Sequence, residues 1–168
     1  MIEQRRIPRL EPETAAYFAG LFDGEGYITV YPGRPDHSAV LYAGMGSTDL
    51  SVLDLLKRTF GGCLTRPRIS SRASRRISRE WKITNEGAAD FLRAIYPYLR
   101  IKKRQAALAF KFRKMMSQNF RSRDEHRMKL FLELAQEIRS LNRGQVPVVE
   151  TVKGTPLPAV KSQSSLPE

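Results

Sequence analysis

Cysteine is almost missing from this chain: Cys63 is its one cysteine in 168 residues. A lone thiol cannot close an internal disulfide and lacks the companions of a zinc site. Histidine is nearly as scarce. The two present, His37 and His126, are not at metal-ligand spacing and read as surface residues. No apolar run is long enough to cross a bilayer and no signal peptide is evident. Together with the unpaired thiol, this predicts an intracellular setting, whether cytoplasm, nucleoid or organelle. Acids are in short supply too: 17 Asp and Glu stand against 29 Lys and Arg, for a net charge of +12. That excess points to a polyanion as partner, foremost a nucleic acid. A membrane surface fits less well, because no basic amphipathic helix with a strongly apolar face stands out.

What is present is concentrated in Phe18-Ala-Gly-Leu-Phe-Asp-Gly-Glu-Gly26. Ala16, Gly20 and Gly24 recur every four residues and form one smooth stripe on a helix. Such a stripe admits a second backbone at close range. The stretch ends in a carboxylate, Glu25, between two glycines. If two copies met along the stripe, their acids would lie side by side, which is costly unless a cation sits between them. Both an assembly and a metal site follow as expectations. The motif occurs once, without internal repeat. Asp23, in the same stretch, reads as a structural hydrogen-bonding acid at the helix end.

Around the motif the chain reads as a basic arm (residues 1–12), a folded unit (13–143) and a flexible tail (144–168) whose prolines, serines and valines show no periodicity. Pro12 followed by an acid predicts a helix start, and residues 24–26 its end. Residues 27–31 and 38–45 alternate as strands, the second with Ala39, Leu41, Ala43 and Met45 inward. An amphipathic helix is expected over 49–60, closed by Gly61-Gly62. Strands follow over 63–69 and 76–84, joined by a polar loop at 70–75; Ile77, Trp81 and Ile83 share a face there, with Trp81 in the core. Helices are expected over 87–98, interrupted near Pro97, then 102–117 and 124–142.

These elements predict an α+β fold: one antiparallel sheet with helices on one side. The free face would carry Thr29, Tyr31, Ser38, Val40, Tyr42, Arg66, Arg68, Arg76, Ser78, Glu80 and Lys82, joined by Arg34, Arg72 and Arg75 from the turns. Arginine is well shaped to read guanine in a major groove, and a sheet ribbon fits that groove. The face is therefore a candidate surface for double-stranded DNA.

The chain resembles the LAGLIDADG homing endonucleases. Phe18 to Gly26 followed by a strand carries the likeness, with Tyr98-Leu-Arg-Ile-Lys-Lys-Arg-Gln-Ala106 similar to the family's lysine segment entering a helix. The resemblance implies an αββαββα fold with additional C-terminal helices, and a saddle of sheets on DNA. With one motif copy, it implies the homodimeric branch, acting in intron homing on long, near-palindromic sites and leaving 3′ overhangs. It implies Mg2+ as cofactor, with Mn2+ or Ca2+ able to substitute for binding. Glu25 falls on the metal-binding acid, Gly24 where a backbone carbonyl assists, and Lys102, rather than Lys103, on the active-site lysine. Ser47 falls where the family often has glutamine or another residue that orients water, so it departs from the pattern. Ser51 falls near a position that is basic in some relatives. No membrane or small-molecule substrate is implied.

Two other readings stand beside the nuclease. One is a non-cleaving DNA- or RNA-binding protein on the same scaffold, an intron maturase or a transcriptional regulator. The other is a ribosome-associated basic protein, which has no use for the small-residue stripe.

Overall fold

The computed structural model describes residues 10–31, 39–69, 77–117 and 125–143, with residues 68, 69, 117 and 125–127 as backbone only. Helix α1 (Pro12–Glu25) opens with Pro12 in its first turn, where the missing N–H costs nothing. It runs directly into strand β1 (Gly26–Tyr31), which pairs antiparallel with β2 (Val40–Ser47). Helix α2 (Leu50–Phe60) is N-capped by Asp49, whose carboxylate accepts the Ser51 N–H at 3.0 Å. Gly61 and Gly62 end it with φ of 79° and 82°, a left-handed pair that favours glycine. Strands β3 (Cys63–Leu64), β4 (Arg68–Ile69) and β5 (Ile77–Thr84) come next. Helix α3 (Asn85–Ile95), a 3-10 turn (Tyr96–Tyr98), α4 (Lys103–Ser117) and α5 (Glu125–Asn142) complete the order.

The sheet order is β1-β2-β5-β3, all antiparallel, with β4 pairing β5. One face is the core. Ile28, Val30, Leu41, Ala43, Met45, Trp81 and Ile83 are all buried under the helices, as their alternation predicts. Phe91 of α3 gathers this core, with the rings of Phe22, Phe60 and Trp81 packed edge-on against it at 4.9–5.0 Å between centroids. The same cluster fixes the C-terminal half of α1 against the sheet. Helix α5 joins through Phe131, Ala135 and Ile138, and its Asn142 amide donates at 2.7 Å to the Ile28 carbonyl of β1.

Several expected boundaries move. The strand expected over 63–69 is two short pieces. Leu64 pairs Trp81, but Arg68 pairs Ser78, so the first strand carries one extra residue between the two registers. Pro67 lies in that break and has no N–H to give a ladder. Thr65 takes over: its hydroxyl accepts the Glu80 N–H at 3.1 Å, while its own N–H donates to the Glu80 carbonyl at 2.8 Å. The result is a β-bulge, which alternation counting cannot see. Ile77 shares the pleat side of Trp81 and Ile83 but is 52% exposed, because β5 outruns the core at that end. The helix expected over 87–98 starts earlier, at Asn85, and its last turn tightens to 3-10 around Pro97.

Candidate active site

Helix α1 has two working faces. Ala15, Phe18, Ala19 and Phe22 are buried in the core, at helical spacing. One step around, Ala16, Gly20 and Gly24 are exposed, and a Cβ added to Gly20 or Gly24 would meet nothing within 4 Å. Their own fold therefore does not require glycine there, although each costs the helix about 1 kcal/mol relative to alanine. The exposed stripe anticipated from the sequence is present.

Glu25 is the last residue of α1 and is exposed. The chain turns into β1 without a loop because Gly26 has no side chain: a Cβ there would fall 2.3 Å from the Phe22 ring. That tight corner sets Glu25 at the mouth of an open cleft of about 550 Å3, lined also by Ser47, Thr65, Arg79 and Glu80. Glu25 and Ser47 are thus brought together. Ser47 ends β2, and its hydroxyl oxygen accepts the Asp49 N–H at 3.0 Å, leaving its proton to donate elsewhere. Ser51 is not brought in. Its hydroxyl donates to Asp49 at 2.6 Å and it lines a separate recess with Asp54, Lys57 and Arg58.

Lys102 reaches the same corner from the other end of the fold. Its ammonium donates at 2.5 Å to the Asp23 carbonyl in the last turn of α1. Lys103 points away, its ammonium 5.3 Å from the centre of the Tyr96 ring. Burial pushes the Lys102 amine below the ordinary lysine range, while the Asp23 and Glu25 carboxylates pull it back up. Asp23 holds this arrangement. Buried at 8% exposure, its carboxylate accepts N–H groups from Arg100 at 2.7 Å, Ile101 at 3.1 Å and Lys102 at 2.8 Å. So Asp23 ties down the segment entering α4, and Lys102 in return caps α1. The structural role expected for Asp23 is the observed one, but its partners, 77–79 residues away, are not visible in the sequence.

The donors at this corner suit a hard divalent cation. Glu25 offers carboxylate oxygens, Gly24 a backbone carbonyl, and the C-terminal end of α1 favours positive charge with no basic residue in its own last turn. Among the described residues, no three His, Cys, Asp or Glu side chains cluster as a cation cage. One chain thus brings a partial donor set.

The sheet's outer face carries Thr29, Val40, Tyr42, Ser78, Glu80 and Lys82 half-buried, with Tyr31 exposed and stacked edge-on against Tyr42 at 5.3 Å. Arg66 is exposed in the break between β3 and β4. Lys82 pairs with Glu80 at 3.0 Å, and Glu80 also bonds the Tyr27 phenol, whose ionisation is pushed up mainly by burial and further by that carboxylate. Arg34, Ser38, Arg72, Arg75 and Arg76 lie outside the described residues, and Arg68 is described as backbone only. Tyr27, on the strand face it shares with Thr29 and Tyr31, and Arg79 are not among the site residues expected from the sequence. The signal for Arg79 was available: it occupies an inward position two residues before Trp81, where a core cannot accept a guanidinium.

No family model matches the sequence and no curated protein matches it. Solved structures do. The homing endonuclease I-CvuI, in complex with its target in the presence of calcium, is 19% identical over 77% of this chain and 82% of its own, with a TM-score of 0.62. The archaeal intron-encoded homing endonuclease I-Vdi141I, complexed with DNA, is 17% identical over 79% of this chain and 86% of its own, at 0.61. The LAGLIDADG meganuclease I-AabMI, bound to uncleaved DNA, is 17% identical over 78% of this chain but 48% of its own, at 0.57. Element order, sheet topology and these likenesses agree: the chain has the fold of the LAGLIDADG homing endonucleases.

Proposed function

We propose that the chain is a site-specific double-strand DNA endonuclease, working as a homodimer on a near-palindromic duplex and leaving short 3′ overhangs. The observation that carries this reading is the corner at the end of α1, where Glu25 is exposed and Lys102 is bound to the Asp23 carbonyl, on a helix whose glycine stripe is open. Two copies joined along Ala16, Gly20 and Gly24 would set two Glu25 carboxylates side by side, one for each strand. That one chain matches 48% of I-AabMI supports two copies as the working unit. The sheet's outer face would lie in the major groove, with Thr29, Tyr31, Tyr42, Ser78 and Lys82 toward base edges and phosphates.

In the reaction, the oxygen of a water bonds to phosphorus. The bond to O3′ breaks with its electron pair, O3′ takes up a proton, and the attacking water loses one to solvent. Glu25 and the Gly24 carbonyl would hold Mg2+, which supplies positive charge against the phosphate and acidifies water. Ser47 orients water through the hydroxyl proton that its bond to Asp49 leaves available. Lys102 contributes a point charge fixed by the Asp23 carbonyl.

Incubating the protein and Mg2+ with randomised near-palindromic duplexes is expected to give double-strand breaks with 3′ overhangs, stopped by chelation and restored by added Mg2+. Intact duplex despite tight binding sinks the nuclease and leaves the binding protein. The dimer has its own check. Gly20→Leu adds side chain where one chain has open space, so the monomer should fold with equal or higher melting temperature. Self-association in sedimentation should weaken by roughly 100-fold or more, because two backbones can no longer close. Unchanged self-association removes the stripe from the interface.

A further inference from the structure

The Glu25 cleft contains a cation that no role above uses. In the antiparallel register Arg79 stands directly opposite Ser47, continuing the row in which Met45 faces Trp81. That row is core up to Trp81 and turns polar at the next pair, where β2 and β5 emerge at the corner formed by Glu25. Arg79 is half-buried, and its Nε donates at 3.0 Å to the Thr65 carbonyl of the bulge. The bulge thus fixes the stem of the side chain. Among the described residues neither terminal nitrogen has an acceptor and no carboxylate pairs with this guanidinium. A planar fork with two free nitrogens, anchored at the edge of an acid-bearing cleft, has the geometry for two oxygens of one phosphate.

Resting on the endonuclease reading, we propose that Arg79 is a catalytic residue, its guanidinium gripping the non-bridging oxygens of the scissile phosphate. The step is the same hydrolysis: water oxygen joins phosphorus, O3′ leaves with the bonding pair and is protonated, and solvent receives the water's proton. Arg79 exchanges no proton. It balances the negative charge that gathers on the non-bridging oxygens, and being pre-anchored by Thr65 it needs little reorganisation to do so. The bland alternative is a staple: Arg79 serves only to tie the bulge through Thr65.

The test uses a duplex recovered by binding selection with Glu25→Gln protein, which requires no cleavage. In single-turnover reactions with saturating protein and Mg2+, Arg79→Gln is expected to cut roughly 100-fold more slowly than wild type. Arg79→Lys should recover part of the rate, since it keeps charge but not the fork. In the Glu25→Gln background, a methylphosphonate at the scissile position should weaken binding about tenfold, and adding Arg79→Gln should abolish that sensitivity. An unchanged rate in Arg79→Gln, or equal methylphosphonate sensitivity with and without Arg79, overturns the proposal. So does a parallel fall in melting temperature and affinity in both Arg79 variants, which identifies the staple. If wild type binds the duplex and never cuts it, the endonuclease reading fails by itself and the catalytic assignment falls with it. If no duplex is recovered, both are overturned.

Discussion

Glu25→Gln is expected to slow strand cleavage by at least about 1,000-fold while leaving the fold and DNA affinity in place. The substitution keeps the shape of the side chain and removes its charge. Glu25 is exposed at the end of α1, so the melting temperature should stay within a degree or two of wild type. What changes is the donor set: an amide oxygen is a far weaker ligand for a hard cation than a carboxylate, and in a dimer both copies change together. Affinity for the duplex should hold or rise by up to about tenfold, since each copy loses a negative charge facing phosphates. The measurements are single-turnover cleavage in Mg2+ and fluorescence anisotropy in chelator, at matched salt. A variant that cuts at near wild-type rate would remove Glu25 from the metal site. A wild type and variant indistinguishable in every assay, with neither cutting, would place the chain among binding proteins.

The parts of this site that the sequence makes legible are those built from short-range pattern. Glu25, Gly24 and the stripe are contiguous in one helix, so periodicity alone sets them on common faces. Leu41, Ala43, Met45 and Trp81 follow strict alternation and are buried as alternation requires. Asp49 and Gly61-Gly62 mark the ends of α2 by local capping chemistry. Legibility stops where one residue breaks a count. The added residue between Leu64 and Arg68 shifts the register against β5, so no single alternation over 63–69 can place both Leu64, opposite Trp81, and Arg68, opposite Ser78 on the free face. Legibility also stops where a strand outlives its core. Alternation gives Ser47, Ile77 and Arg79 the inward side; it is the chemistry of a guanidinium at such a position, not the alternation, that marks the end of the core at Trp81. Ser51 shows the reverse case. Nearness in sequence to Ser47 does not bring it to the cleft, because Asp49 captures its hydroxyl at the start of α2.

Long-range polar ties are the least legible feature, and Asp23 is the one with most at stake. Asp23→Ala is expected to destabilise the protein by about 3 kcal/mol and to lower its melting temperature by roughly 6–12 °C. The carboxylate is buried and serves three backbone N–H groups, at Arg100, Ile101 and Lys102. Alanine leaves those donors without their acceptor just ahead of α4, whose Lys102 carbonyl already receives the Ala106 N–H at 2.9 Å. Asp23→Asn should be milder, about 2 kcal/mol, but not silent. Both carboxylate oxygens act as acceptors here, so either amide orientation turns an NH2 group toward a backbone N–H. The effect should be local before it is global. Amide exchange at residues 100–102 should accelerate in Asp23→Asn under conditions where the core strands β2 and β5 remain protected. Lys102, no longer fixed through its backbone, should become more reactive toward an acylating reagent than in wild type, while Lys103, exposed beside Tyr96, should not change. Exchange and acylation patterns identical to wild type would mean that the segment entering α4 holds itself, and that Asp23 is dispensable for placing Lys102 against α1.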